Sequence, residues 1–251
     1  MKLIKNARII TMDAQRRVFD DGAVAIAGSR IEAVGERQAL ERRCPEAETI
    51  DAGGMLLIPG LINAHTHIYQ VLYKGLGDDA ALSDWLKKCV YPMSLNLTGQ
   101  DCYHAMKLSA VEMIRGGTTT FVDCHYMNRD LSCQDYLAQA VTDSGIRGVL
   151  GRGTIDAAPA PEPLRESVAQ AVAEAERVIK AYHGAADGRL SVRLEALNEK
   201  LASREMISAM RGVAREHRVG TNMHIAEAAE RGAECREKLG MTSIEYIHSL
   251  G

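Results

Sequence analysis

The chain has 251 residues, of which 46% are hydrophobic and 25% charged, and its formal net charge is -3 at pH 7. This length can bury a full core and suits one or two domains. The near-balance of charge, with no basic block, argues against nucleic-acid binding. No apolar run approaches the roughly 18 residues of a membrane span, and the N-terminus turns polar at once, unlike a signal peptide. We therefore expect a cytoplasmic protein with neither a nucleic-acid nor a membrane partner.

The cysteines are scattered along the chain, and none of them forms a C-x-x-C pair. This spacing argues against a zinc knuckle or a thioredoxin-type redox site. In a reducing compartment cysteines stay as thiols, so we expect free thiols throughout. Cys124 is expected to be a small, buried, apolar residue.

The first part of the chain consists of short strand-like segments separated by turn signals. Asp20-Asp21-Gly22 and Gly28-Ser29 mark turns, and residues 30–34 alternate polar and apolar side chains. We interpret residues 1–54 as a small antiparallel sheet domain that ends at Gly53-Gly54.

From Met55 onward the pattern changes to strands that alternate with helices. The run Met55-Leu56-Leu57-Ile58 is fully apolar, which suits a buried parallel strand. Further strands are predicted over 119–122, 146–150, 190–194 and 219–225. Helices are predicted over 98–115, 163–183 and 203–217, with Thr98 and Asp101 as a capping pair, and a last helix opens at Thr242-x-x-Glu245. This alternation predicts an α/β fold with a parallel sheet, whose active site lies at the carboxyl ends of the strands.

The most informative feature is the triplet His65-Thr66-His67, which follows Pro59-Gly60-Leu61-Ile62-Asn63-Ala64. Side chains two residues apart on a strand project the same way, so both imidazoles point to one side. Two imidazoles that converge at a strand end form half of a divalent-metal site. An H-x-H pair alone is weak support, since two nearby histidines are more often unrelated surface or core residues. The apolar strand and the turn before the triplet favour the metal site.

The segment from Pro59 to His67 resembles the first-strand signature of the amidohydrolase superfamily. Further segments resemble the branch of that superfamily that holds cytosine, guanine, S-adenosylhomocysteine and triazine deaminases or chlorohydrolases. They are Asp84-Trp85-Leu86, Tyr91-Pro92, Gly116-Gly117-Thr118-Thr119-Thr120 and Met223-His224-Ile225-Ala226-Glu227. The resemblance covers nearly the whole chain.

The resemblance implies a (β/α)8 TIM-type barrel beside a β-sandwich built from both chain ends. Residues 1–54 would then supply the N-terminal part of the sandwich, and 55–251 a partial barrel with the first five or six strands. The family's strand-six histidine and strand-eight aspartate would follow Gly251, and a complete barrel typically takes about 250 residues. The chain is therefore interpreted as a fragment, and by itself it is expected to show no appreciable turnover. An in-frame continuation beyond codon 251 would restore the enzyme.

The resemblance also assigns roles to individual residues. It carries the metal ligands over to His65, His67 and His224, and the proton-shuttling carboxylate over to Glu227. Three neutral imidazoles leave an open position for a water whose pKa the metal lowers, and a nearby carboxylate can pass that water's proton to a leaving amine. One divalent metal is implied, with zinc expected and iron as the alternative. Without the resemblance, Glu227 is equally well explained as a solvated carboxylate at a helix start.

Three further residues are candidates for substrate binding. Trp85 either walls the pocket in the manner of the family or packs as an ordinary apolar residue. Asp123 and His125 end the strand predicted over 119–122. They either face the pocket and contact substrate, or orient the loop that follows.

The implied reaction is hydrolysis of a C–N bond in a small aminated heterocycle, with release of ammonia or an amine. Hydrolytic dechlorination of a triazine-like ring is the alternative within the class. The stretch Glu195-Ala196-Leu197-Asn198-Glu199-Lys200 holds no histidine where deaminases of adenosine-like substrates often carry one, which argues against nucleoside substrates. Outside the enzyme class, an open barrel edge would favour an inert fragment or a scaffold. Family members are often dimers or larger, so a homo-oligomer stays open.

Overall fold

The computed structural model describes residues 1–250 of the chain. It divides into two compact units, the first spanning Met1–Gly60 and the second beginning at Leu61. We describe each unit by itself.

The first unit is a mixed β-sheet with one short helix. Its strands are β1 (Lys2–Ile10), β2 (Val18–Ala27), β3 (Arg30–Glu36), β4 (Glu48–Asp51) and β5 (Leu56–Leu57), and its helix is α1 (Arg37–Arg43). The strand order is β3-β2-β1-β4, and β5 also pairs with β1. Leu40 of α1 packs on Leu3, Ala23 and Ala25. The sheet thus buries one face under the helix.

The sequence predictions for this unit were partly wrong. β1, β2 and β3 are antiparallel as expected, whereas β4 and β5 run parallel to β1. The apolar run Met55–Ile58 is not a buried barrel strand, because Leu57 pairs with Ile9 of β1 and Leu56 is exposed. The boundary between the units therefore falls after Gly60 rather than after Gly54. Residues 1–60 form one sheet, so the sandwich arrangement stays a prediction.

The second unit is built on a parallel sheet whose strands follow one another in chain order. They are β6 (Leu61–Thr66), β7 (Thr118–His125), β8 (Arg147–Thr154), β9 (Leu190–Ala196) and β10 (Gly220–Asn222). Each strand pairs in parallel with the next. Sequential parallel pairing with helical crossovers is the arrangement of half a TIM-type barrel. The predicted α/β fold is confirmed at this level.

Helices connect the strands of this sheet. In chain order they are α2 (Leu82–Trp85), α3 (Tyr91–Ser94), α4 (Gly99–Arg115), α5 (Cys133–Ser144), α6 (Val168–Tyr182), α7 (Ala185–Gly188), α8 (Arg204–His217), α9 (Ala229–Leu239) and α10 (Ser243–Ser249). Of these, α7 is a short turn with left-handed backbone, since φ is 52° at Ala186 and 55° at Asp187. Short 3-10 turns cover Ile68–Tyr73 and Glu162–Leu164. Among the described residues, every helix is too short or too polar to span a membrane.

Short sequence signals predicted some helix starts correctly, but other helix and strand bounds were predicted wrongly. The capping boxes at Thr98 and at Thr242 are both present, as predicted. The helix predicted from 163 begins only at Val168, because Ser167 caps it and the preceding residues form a separate 3-10 turn. β7 runs on to His125, and the strand predicted over 219–225 ends at Asn222. Helices α5 and α9 were not predicted.

Two apolar clusters join the helices to the sheet. In the first, Phe121 and Leu150 pack with Met106 of α4 and Leu137 of α5. In the second, Val192 and Leu194 of β9 pack with residues of α6 and α8, including Val178, Met206 and Met210. Because strand side chains alternate, these clusters occupy the helix side of the sheet and leave the other face free for a cleft.

Candidate metal centre

The rings of three histidines, which come from the first and the last strand of the sheet, lie close together. His65 lies in β6, His67 directly follows that strand, and His224 follows β10. The His65 ring centroid is 4.9 Å from those of both His67 and His224. β6 and β10 are the first and last strands of the described sheet, so only a strongly curved sheet brings their carboxyl ends together. This curvature is the barrel property on which the site depends.

The hydrogen bonds of two of these rings fix which nitrogen is free. His67 Nδ1 lies 2.7 Å from the carbonyl oxygen of Cys124, and His224 Nδ1 lies 2.8 Å from Oε1 of Glu195. Both partners are acceptors, so in each ring Nδ1 carries the hydrogen and donates it. The free lone pair of each ring is therefore on Nε2.

These two lone pairs face one another, which tests whether the site fits a metal. The Nε2 atoms of His67 and His224 are 3.3 Å apart. Two acceptors at that distance repel unless a proton or a cation lies between them. Two nitrogens bound at about 2.05 Å to a tetrahedral zinc ion lie about 3.3 Å apart. With His65, whose ring completes a set of ligand atoms within 4.8 Å of one another, the residues fit a divalent metal ion.

The pKa values of the two partly buried rings, those of His67 and His224, move in opposite directions. Burial lowers the pKa of His67 to about 4, although its bond to the Cys124 carbonyl opposes the shift. Burial is also the largest single influence on the pKa of His224 and lowers it, but the hydrogen bond to Glu195 and the negative charges of Glu195 and Glu227 together outweigh burial and raise that pKa. His67 is thus a neutral ligand at any ordinary pH, and Glu195 increases the basicity of His224.

Glu195 is the site residue that the sequence prediction missed. It lies near the end of β9, is 1% exposed, and its Oε2 atom has no hydrogen-bond partner in the described structure. Cys124 contributes a second contact, with its sulfur 3.9 Å from His224 Nδ1. A carboxylate directly after the alternating apolar and polar residues of Leu190–Leu194, at the carboxyl end of a predicted parallel strand, was the available signal.

Glu227 lies in the loop after β10, where its carboxylate is exposed. The backbone at Ala226 has a φ of 54°, in the left-handed region that non-glycine residues rarely adopt. This turn places Glu227 at the rim of a cleft of about 610 Å³ that His65, Glu195 and His224 also line. Such local strain is typical of positions held for a function.

Comparison with known proteins identifies the family. The model of the Amidohydrolase family matches residues 56–251. The chain belongs to the amidohydrolase family. The resemblance drawn from the segment around His65 and His67 is confirmed.

Two curated relatives match this amidohydrolase over almost its whole length. The 5-methylthioadenosine/S-adenosylhomocysteine deaminase of Desulforamulus reducens is 30% identical over 249 residues, which are 99% of this chain and 54% of the relative. The 5'-deoxyadenosine deaminase of Methanosarcina barkeri is 32% identical over 250 residues, with the same two coverages of 99% and 54%. The chain spans about half the length of the curated relatives it matches.

Solved structures share the fold at lower identity. A mutant atrazine chlorohydrolase of Arthrobacter aurescens TC1, complexed with zinc and atraton, matches with a TM-score of 0.90 at 24% identity over 100% of this chain and 58% of that one. A guanine deaminase from C. acetobutylicum with bound guanine matches with a TM-score of 0.87 at 20% identity over 100% of this chain and 59% of that one. These matches support the half-barrel architecture of the second unit.

In this amidohydrolase, Trp85 lies close to the histidines. It ends α2, is half-buried, and lines a narrow cavity of about 40 Å³ together with His67, Tyr126, His224 and Glu227. Trp85 also packs against the first apolar cluster. Trp85 therefore packs as an apolar residue and borders the space beside the histidines, and its role in binding substrate stays a prediction.

Asp123 and His125 do not face the cleft, contrary to one of the two predictions for them. Val122 and Cys124 line the cleft, so the alternating residues Asp123 and His125 project to the helix side of β7. Both are fully buried. Asp123 Oδ1 accepts a hydrogen bond of 2.9 Å from the backbone N–H of Ile68, the residue after His67. This contact joins β7 to the turn that follows β6, and a role of Asp123 or His125 in orienting the loop after β7 stays a prediction.

Proposed function

We propose that His65, His67 and His224 hold one divalent metal ion, zinc in the first instance and iron as the alternative. We further propose that the site hydrolyses a C–N bond of an aminated heterocycle and releases ammonia or an amine. The observation that carries this proposal is the pair of Nε2 lone pairs, those of His67 and His224, that face each other at 3.3 Å. Each ring is held in that orientation by an acceptor at Nδ1.

The metal, when bound, supplies the Lewis acidity that makes water acidic enough to attack near neutral pH. The remaining work belongs to the chain. Glu227 takes a proton from the attacking water at its carboxylate and transfers it to the nitrogen of the departing amine. Glu195 fixes the ring plane of His224 through their 2.8 Å contact. Trp85 and Tyr126 narrow the space beside the histidines and exclude bulk water.

The cleft suits a flat heterocycle with polar substituents. Its walls combine apolar side chains, among them Val122, Val149 and Met223, with the polar side chains of Arg193 and Asn222. Such a mixture is typical of small-molecule sites, in which a few polar groups fix the orientation of an apolar ligand.

The relatives favour adenosine derivatives as the substrate class. Both curated relatives described above are named as deaminases of adenosine derivatives, and they are 30% and 32% identical to this chain. The lack of a histidine after β9 argues in the opposite direction, since Leu197 and Asn198 stand in that stretch. We place adenosine derivatives first and aminated oxopurines or triazines second. Hydrolytic dechlorination of a triazine-like ring is the alternative reaction.

A substrate panel tests the reaction. The product of the complete reading frame is loaded with zinc and incubated with 5'-deoxyadenosine, guanine, an aminotriazine and a chlorotriazine. Release of ammonia that stops on metal removal and resumes on zinc addition supports the proposal. Metal-dependent release of chloride alone would replace deamination by dechlorination. A protein that retains no metal after zinc or iron repletion would contradict the proposed site.

A further inference from the structure

A second cluster of metal-ligating side chains lies on the helix side of β7, away from the histidine site. It consists of Cys102 of α4, His125 at the end of β7 and Cys133 at the start of α5. One ligand atom from each residue lies within 4.8 Å of the other two. Two sulfurs at 2.3 Å from a tetrahedral ion are about 3.8 Å apart, so small side-chain adjustments suffice to bind one.

Each member of this cluster is buried. Cys102, His125 and Cys133 are all 0% exposed. Neither ring nitrogen of His125 has a hydrogen-bond partner in the described structure. A buried imidazole always carries at least one N–H donor and one further polar nitrogen, and burying these groups without partners costs free energy. The His125 ring therefore lacks a polar partner, and a cation bound by the two adjacent sulfurs would supply one.

We propose that Cys102, His125 and Cys133 form a second, structural binding site for a thiophilic divalent cation of the zinc class. On binding, the two thiols release their protons, and the two thiolates balance the charge of the cation beside a neutral imidazole. The resulting group has no net charge, which suits a fully buried position. Soft sulfur ligands favour zinc-class ions over magnesium or calcium.

Such a site would tie three elements together. Cys102 belongs to α4, which packs on β7, Cys133 belongs to α5, which packs on α4 and β8, and His125 extends from β7 itself. The ion would thus fix α4 and α5 against the strand whose next residues, Tyr126 and Met127, continue into the first apolar cluster. We expect binding to raise the stability of the second unit without changing the histidine site.

The experiment uses cobalt, because cobalt–thiolate coordination has an ultraviolet charge-transfer band that histidine coordination lacks. The full chain is produced in cobalt-supplemented minimal medium, so that the ion is present while the buried site folds, and is purified under a thiol-free reductant. We expect the band in the parent protein and in His224→Ala, which removes a ligand of the other site. Absence of the band from folded, reduced parent protein would overturn the proposal.

Cysteine variants locate the ligands. Cys102→Ser and Cys133→Ser should each lose most of the band, whereas the matched buried variant Cys235→Ser should keep it. Circular dichroism checks that each variant is folded. A band that survives both cluster substitutions in folded protein would overturn the assignment, as would a Cys102–Cys133 disulfide in mass spectra of unreduced parent protein. His125→Gln provides a further check, since it should shift the band without abolishing thiolate ligation.

Discussion

The carboxylate of Glu195 and the ring of His224 are 2.8 Å apart, and the carboxylate has almost no solvent exposure. A buried carboxylate in contact with a single imidazole nitrogen sets the tautomer of that ring. The free Nε2 atom then faces the matching atom of His67. The geometry of the candidate metal centre therefore depends on a carboxylate that contacts the Nδ1 atom of His224 and is not one of the three proposed ligands.

Glu195→Gln should weaken metal binding by about 10- to 100-fold, the range found for partners of ligating histidines. The amide oxygen can still accept from Nδ1 of His224, so the protein should fold normally while the ring loses basicity. Competition with a zinc chelator measures the affinity. Glu199→Gln, a few residues along the same segment, is the matched control and should leave the affinity unchanged. An unaltered affinity in Glu195→Gln would contradict the positioning role.

In the product of the complete reading frame, Glu227→Gln should reduce kcat by about 100- to 10,000-fold, the usual contribution of a general acid–base group. The amide keeps the size of the side chain but cannot accept a proton. Zinc content should stay at the parent level, because Glu227 lies beside the three histidines and is not one of the ligands. Glu230→Gln on α9 is the control. Loss of zinc together with activity would instead make Glu227 a ligand.

Asp123→Asn should stabilise the protein in a pH-dependent way. Burial raises the pKa of Asp123 from 3.8 to about 6, so the folded state holds this proton more tightly than the unfolded state. The protonated carboxyl stabilises the fold at acid pH, and that contribution is lost as pH rises from about 4 through about 6. Asparagine cannot ionise and can still accept from Ile68 N–H.

The pH dependence of unfolding measures this effect. The free energy of unfolding of the variant minus that of the parent should increase by about 3 kcal/mol from pH 4 to pH 8, because the pKa of Asp123 is shifted by about two units. Urea unfolding at each pH gives the difference, with Asp79→Asn in an exposed loop as the baseline. A constant difference across this pH range would show that the pKa of Asp123 is not raised in the folded protein.

Gly151→Ala should destabilise the second unit by about 1 to 3 kcal/mol. A Cβ atom at Gly151 of β8 would lie 2.2 Å from the backbone oxygen of Asp123, and backbone cannot move aside as a side chain can. Gly212→Ala is the opposite case, because Gly212 lies on the exposed face of α8, where no described atom beyond its own helix backbone and chain neighbours comes within 4 Å of a new Cβ. That variant should gain about 0.5 to 1 kcal/mol. Denaturant midpoints compare the two.

Short sequence signals predicted much of this fold and, of the three candidate metal ligands, His65 and His67. A polar residue such as Thr98 followed by Asp101 specifies a helix start within one turn, so the helix starts at Gly99 and Ser243 agreed with the structure. His65 and His67 could be predicted as a pair of ligands because both lie at the end of one strand. Their partner His224 came from the family resemblance, since its meeting with them depends on the curvature of the whole sheet.

Other features depend on long-range packing, which spacing along the chain does not report. The run Met55–Ile58 has the composition of a buried strand, yet it pairs at the edge of the first unit's sheet. The cluster of Cys102, His125 and Cys133 is assembled from two helices and a strand. The absence of C-x-x-C pairs argued against a zinc knuckle, but it carried no information about ligands brought together by tertiary structure.

The most direct test of the metal centre is the zinc content of His67→Ala. Folded parent and variant proteins are dialysed against the same zinc buffer and measured by elemental mass spectrometry, with the exposed helical variant His104→Ala as the control. The arrangement of the Nε2 atoms predicts that His67→Ala binds one equivalent of zinc fewer than the parent, while His104→Ala matches it. Equal zinc content in folded His67→Ala and parent would contradict the metal centre.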